Sequence, residues 1–241
     1  SALVVSLAVI AAGCSSGDDN SGGSSAAPVM TITGKVSDPA VEGAKVELLD
    51  SSKNIYGKCG VNGNSLCNVW SKSDGSFTIT LPLGTDVSNF SLKSTGGTDT
   101  AYGTEITVSY TADINNYAGN YSNIILSPVS SLYTNLLSSS NHDNAITTLS
   151  SYFGINKNIV LLDPESNADL LKISYIINQI ASNIGTDDAF SKIAALIKPT
   201  SQFTTDIDNM LSSLFQADTA LQSSLKEMYT TVAGIQSPDV Y

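Results

Sequence analysis

The hydrophobic period of this chain changes once, at Ser127-Pro128, and that change limits what it can fold into. Before it, apolar and polar residues alternate in short runs broken by turn formers. Met30-Thr31-Ile32-Thr33-Gly34-Lys35-Val36 puts its apolar side chains on one face, as a half-buried strand does. Segments 44–49, 68–72, 77–81, 90–94 and 105–110 repeat the pattern, and a further strand is expected over 54–58. Ser37-Asp38-Pro39 and 50–54 are turn signals. Ser73-Asp74-Gly75-Ser76 between alternating runs predicts a hairpin. Short strands at regular spacing predict a β-sandwich over 30–111.

After the change, apolar residues recur at helical spacing. Ser127 supplies a capping oxygen and Pro128 suits the first helical position. A second helix is expected to stop at Gly154. A third, opened by Asp163-Pro164-Glu165 and stopped by Gly185, is apolar on more than one face and should be the most buried. A fourth should follow Thr186-Asp187-Asp188 and end at Pro199. The remainder is one broken helix or two, ending at Gly234. The expected class is α+β with two domains: the sandwich, a connector over 112–126, and a helical bundle over 127–241.

The run Leu3 to Cys14 is too short to span a bilayer, which takes about 20 residues. It suits the hydrophobic region of a secretory signal, here lacking its start. Ala11-Ala12-Gly13-Cys14 resembles the bacterial lipobox, with Ala11 where such motifs usually carry Leu. The resemblance implies cleavage after residue 13 and acylation of Cys14, hence a membrane partner through a lipid anchor. The alternative is an ordinary signal peptide with Cys14 left free. Residues 14–29, rich in Ser, Gly, Asp and Asn, read as a disordered tether. Ser15 after the cysteine suits, by lipoprotein sorting logic, the outer membrane.

The formal net charge is -11 and every basic residue is a lysine. Nucleic-acid binding needs clustered cations, so that class is excluded. Of three cysteines, Cys14 is assigned to lipid, which leaves Cys59 and Cys67 around a loop of turn formers. A disulfide there is preferred to a metal site, since the only histidine lies far away in sequence.

Gly34-Lys35-Val36, Val41-Glu42-Gly43-Ala44-Lys45-Val46 and Ser73-Asp74-Gly75-Ser76-Phe77-Thr78-Ile79 together resemble the carboxypeptidase regulatory-like domain, a transthyretin-like (Ig-like) sandwich of bacterial envelope proteins. Gly96-Gly97-Thr98-Asp99-Thr100-Ala101 is similar to a unit of secreted lipoproteins and adhesin-like proteins that joins such a sandwich to helices. These resemblances imply stalks, spacers and accessory modules rather than a reaction.

Tyr102, Tyr110, Tyr117 and Tyr121 lie among Asn115, Asn116, Asn120 and Asn123, a composition that suits a ligand surface for a protein or glycan, with Tyr102, Tyr117, Tyr121, Asn116 and Asn120 as the candidates. The competing reading is a polar connector whose tyrosines pack on the sandwich. Trp70 is either a platform for carbohydrate stacking or a core or cross-strand aromatic, and the second is preferred. Calcium at Asp99 and Asp113 is disfavoured, because no closely spaced acidic loop is present. His142 has no distinguished serine or Gly-x-Ser-x-Gly motif to serve. No catalytic residue, metal set or cofactor is expected. The function expected is a non-catalytic, lipid-anchored module for adhesion, binding or assembly, exposed on the cell surface. The alternatives are a periplasmic accessory lipoprotein of an envelope or export complex and a subunit of an extracellular filament. Cys14→Ser is expected to move the protein from the detergent phase to the aqueous phase of a phase partition.

Overall fold

The computed structural model describes residues 27–117 and 121–234; the segment expected to be a signal, Cys14 and the expected tether up to residue 26 lie outside them. The class is α+β. The first strand, β1 (Val29–Val36), lies at the centre of a three-stranded sheet. It pairs antiparallel with β5 (Ser76–Pro82) and parallel with β9 (Ile124–Leu126). A four-stranded sheet has the order β4 (Asn68–Trp70), β3 (Lys45–Leu49), β6 (Ser91–Thr95), β8 (Tyr110–Asp113). A short pair, β2 (Val41–Glu42) and β7 (Thr98–Asp99), stands apart from both.

The alternation does what its period dictates. Ile32 and Val36 on β1, Phe77, Ile79 and Leu81 on β5, and Val46 and Leu48 on β3 are all buried. Their neighbours within the strands are half-buried or exposed. Leu92 and Tyr110 enter the same cluster from β6 and β8, so the inner faces of the two larger sheets share one core.

Two glycines let backbone reach β1 closely. A Cβ on Gly34 would lie 2.1 Å from the Ile124 carbonyl oxygen and 2.5 Å from Phe77 Cζ. The parallel seam with β9 therefore needs a residue without a side chain there. Gly75, at φ 77, would place a Cβ 2.4 Å from the Val36 carbonyl oxygen. Its own carbonyl accepts from the Val36 amide at 2.9 Å. The turn at Asp74-Gly75 thus forms, but it hands β5 to β1 instead of folding it back along β4. The expected hairpin is a crossing between sheets.

Other expectations also change. Residues 54–58 form no strand, only an isolated bridge from Ile55 to Leu49. Of 105–110, only Tyr110 is in a strand, because Ile106 bonds instead to Gly97. The expected connector over 112–126 carries the end of β8 and all of β9, which belong to the two sheets. The third helix starts later than Asp163. That carboxylate caps a 3-10 turn, Pro164–Ser166, and Asn167 then caps α3.

The helices are α1 (Pro128–Leu137), α2 (His142–Phe153), α3 (Ala168–Ile184), α4 (Ala189–Leu196), α5 (Phe203–Phe215) and α6 (Thr219–Gly234). The last stretch is thus two helices, broken where Gln216 takes φ 25. At the start of α1, the hydroxyls of Ser127 and Ser130 each accept from the other's amide, at 3.1 and 2.9 Å respectively. The buried side chains of the helices are continuous with the sandwich core.

Both exposed flanks of the sandwich are occupied. The free edge of β8 is met by α1: the Thr111 amide donates to Ser131 Oγ at 2.9 Å, and Ser130 Oγ donates to the Thr111 carbonyl at 3.0 Å. On the other flank Cys59 and Cys67 form a disulfide with Cα atoms 5.1 Å apart, and the Gly60 amide of its loop donates to Thr80 on β5 at 2.8 Å. Closing a loop this short contributes roughly 2.5 kcal/mol on the chain-entropy account. Gly34→Ala is expected to cost about 3 kcal/mol, because the clash is with backbone and an inward Phe ring. A urea unfolding curve with lowered midpoint and unchanged slope checks this.

Candidate functional site

The outer face of the four-stranded sheet carries a grid fixed by register. Trp70, Lys45 and Thr95 lie across β4, β3 and β6 in one row, and Asn68, Glu47 and Lys93 form the next. Inward-facing Val46 and Val69 hold the sheet to the core, so these six point away from it. Lys45 and Glu47 form an ion pair within the face. Trp70 is 67% exposed. Of the two places expected for it, core or cross-strand, it takes the second: it pairs across the strands with Lys45 and is not in the core. The alternation Asn68-Val69-Trp70 turns Val69 inward, which leaves the indole on the solvent side.

The expected tyrosine and asparagine surface is only partly gathered. Asp99 is buried at the base of a turn and accepts from the amides of Ala101 (2.7 Å) and Tyr102 (3.3 Å). This holds Tyr102 outward, 39% exposed, with its ring 6.5 Å from that of Tyr175 on α3. Partial burial, with the charge of Asp99 and the neighbouring Tyr175, pushes the Tyr102 hydroxyl up from its ordinary pKa. Tyr121 sits elsewhere. It is half-buried on the core, and its carbonyl accepts from the Thr33 amide at 2.8 Å. The backbone of Asn116 and Tyr117 lies in a 3-10 turn after β8, but their side chains and all of Asn120 lie outside the described residues.

A buried polar contact, which the sequence reading did not single out, joins the sandwich to the helices. The Tyr110 hydroxyl lies 3.0 Å from Asp38 Oδ2 and 3.0 Å from Asn178 Oδ1 on α3. One hydroxyl proton cannot serve two acceptors fully. Both contacts become hydrogen bonds if Asp38 holds a proton and donates to Tyr110, which donates to Asn178. Burial, reinforced by the Asp99 charge and opposed by the bonds to Tyr110 and Asn178, drives the Asp38 carboxyl well above the usual range. Asp38 Oδ1 and Ser174 Oγ are buried with no hydrogen-bond partner among the described residues. The one signal in the sequence was Ser174 and Asn178, four apart on an otherwise apolar helix face.

Beside this contact an ionic clasp closes over β1. Lys35 Nζ reaches Asp163 Oδ2 at 2.9 Å and also bonds Glu165; Ser37 Oγ donates to Asp163 Oδ1 at 2.5 Å. The Ala40 amide donates to Glu165 Oε1 at 3.1 Å. Desolvation works against the Lys35 charge, but Glu165 and Asp163 outweigh it and raise its pKa.

Among the described residues no group of three or more His, Cys, Asp or Glu is placed to hold a metal ion. Asp99 and Asp113 each cap their own turn, the latter accepting from Asn115 at 2.9 Å. His142 is exposed on the first turn of α2, its Nδ1 2.6 Å from the Tyr133 hydroxyl. An open groove of ≈ 490 Å³ lies between α3, α4 and α5, lined by Ile184, Lys192, Leu196, Leu214 and Phe215 among others. Comparisons with known protein families, with curated proteins and with solved structures find no match to this chain.

The pH dependence of stability follows from the two buried acids. Burial raises both Asp38 and Asp99, the second helped by Glu165 and opposed by its two amide donors. The folded chain therefore keeps these protons to higher pH than the unfolded chain. Their favourable contribution is complete below the unfolded value of about 4 and is lost as pH rises through the folded values. Asp38→Asn is expected to raise stability at pH 8, on the order of 2 kcal/mol, and to flatten the slope between pH 4 and 8. Thermal melts of both proteins across that range check the sign.

Proposed function

We propose that this protein is a non-catalytic, lipid-anchored surface module that binds a glycan on the outer face of its four-stranded sheet. One observation carries the reading: the lone tryptophan is 67% exposed on the outward face of a strand. Leaving an indole in water forgoes a large burial gain, and tryptophan is a residue enriched at interfaces. The surroundings suit a sugar. Asn68, Glu47, Thr95 and two lysines offer donors and acceptors in two parallel rows beside an apolar plate. With one acid and two cations, the face also escapes the acidic balance of the whole chain.

The anchoring half of the proposal rests on the lipobox-like Ala11-Ala12-Gly13-Cys14, and the outer-membrane, cell-surface location on Ser15 and on the adhesin-like junction. The alternating strands and turn positions support assigning the sandwich to the carboxypeptidase regulatory-like, transthyretin-like class. The buried carboxyl of Asp38 faces Tyr110 and Asn178 and serves to join elements, consistent with a binding rather than a catalytic role.

Because Trp70 is the only tryptophan, its own emission reports on the site. Titration with glycans selected on an array is expected to shift that emission. Trp70→Ala is expected to weaken capture on the array at least ten-fold, with the melting temperature unchanged. Tyr102→Ala should leave capture intact. Full capture by Trp70→Ala would remove the sheet face as the site, and loss with Tyr102→Ala would move it to the junction.

A further inference from the structure

Seven large apolar side chains are exposed among the described residues, and four of them, Val29, Val61, Leu66 and Leu83, belong to one end of the sandwich. Strand register brings them together. Val29 pairs with Pro82, and the Leu83 amide donates to the Pro28 carbonyl at 3.2 Å. The disulfide loop folds onto the same place: a Cβ on Gly63 would lie 3.0 Å from Pro82 Cγ. Its Gly60 amide is bonded to Thr80, and its base is fixed by the Cys59–Cys67 bridge. The loop therefore carries Val61 and Leu66 on a short, cross-linked frame packed against Thr80 and Pro82, the strand end that Leu83 continues. The nearest formal charges in sequence, Lys58 and Asp86, are of opposite sign.

We propose that this rim is a membrane-contact surface, which seats the sandwich on the bilayer that holds its N-terminal anchor. The inference rests on acylation of Cys14, proposed above. The chain outside the described residues ends at this rim: Cys14 is only fifteen residues before Val29. A coil of that length spans on the order of 20 Å, so an anchored Cys14 keeps this end of the body next to lipid. Tethering turns a weak contact into an intramolecular one at an effective concentration near millimolar. Four aliphatic side chains in a charge-balanced rim then suffice where they would not hold a free protein. The acidic balance of the chain selects an uncharged, zwitterionic headgroup layer over an anionic one.

The test uses the full chain with Trp70→Phe, coupled through the Cys14 thiol to a maleimide lipid in phosphatidylcholine vesicles. A reporter indole is introduced by Leu66→Trp, or in a second protein by Leu162→Trp. Leu162 is also exposed but lies beside Asp163, which clasps the opposite end of β1. Brominated acyl chains are expected to quench the first indole at least two-fold and to leave the second unchanged. Adding Val61→Ser and Leu83→Ser should abolish the quenching while near-ultraviolet circular dichroism shows the fold intact. No quenching, or equal quenching at both positions, overturns the proposal. So does a protected indole that appears only at high protein density on the vesicle, which would assign the rim to a second copy. Mass spectrometry of the Cys14 peptide from native envelopes reads acylation separately, so a failed anchor and a failed contact give different results.

Discussion

The Tyr110 hydroxyl is the point on which the two halves of this protein agree. It stands on β8, at the edge of one sheet, and reaches Asp38 in the turn after β1 and Asn178 in the middle of α3. Three segments far apart in sequence must be in place before the contact exists. Because it is buried, a misplaced partner leaves an unpaired polar group in the core, a cost of about 1–3 kcal/mol. Apolar packing alone would tolerate sliding of the helices along the sandwich edge. A buried polar contact penalises every position but one.

The clasp of Lys35 with Asp163 and Glu165 supports the same placement from outside, but with less weight. Its groups keep part of their exposure, and ion pairs of that kind contribute up to about 1 kcal/mol each. The hydroxyls of Ser130 and Ser131 add a third connection by bonding the free edge of β8. Sandwich and helices therefore share one core and three kinds of polar seam.

The sequence disclosed periods well and partners poorly. Strands β1, β3, β5 and β6, the helix start at Ser127 and the helix stop at Gly154 follow from alternation and caps, which are local. The Asp74-Gly75 turn was read correctly as a turn, but the strand that β5 joins is decided by Gly75 against Val36, a contact across the chain. Residues 105–109 alternate like a strand, yet Gly97 takes the Ile106 amide, and only an isolated bridge from Glu105 to Thr98 forms there. Trp70 illustrates the limit most clearly. Its residue type says core, and only the inward turn of Val69 reveals that it faces water. Asp38 and Tyr110 carry no short-range signature, and the Ser174–Asn178 spacing marks a polar spot on α3 without naming its partners, since their meeting depends on tertiary placement.

The parallel pairing of β1 with β9 has a mechanical consequence. A pull on the N-terminal end of β1 runs along the strand, because β1 is central and its first residue, Val29, is already paired. Such a load acts on the ladders with β5 and β9 in shear, so many hydrogen bonds must yield together instead of opening one after another. A body held by its first residues against flowing liquid would meet force in this direction, and the closely approached Gly34 lies within the loaded seam.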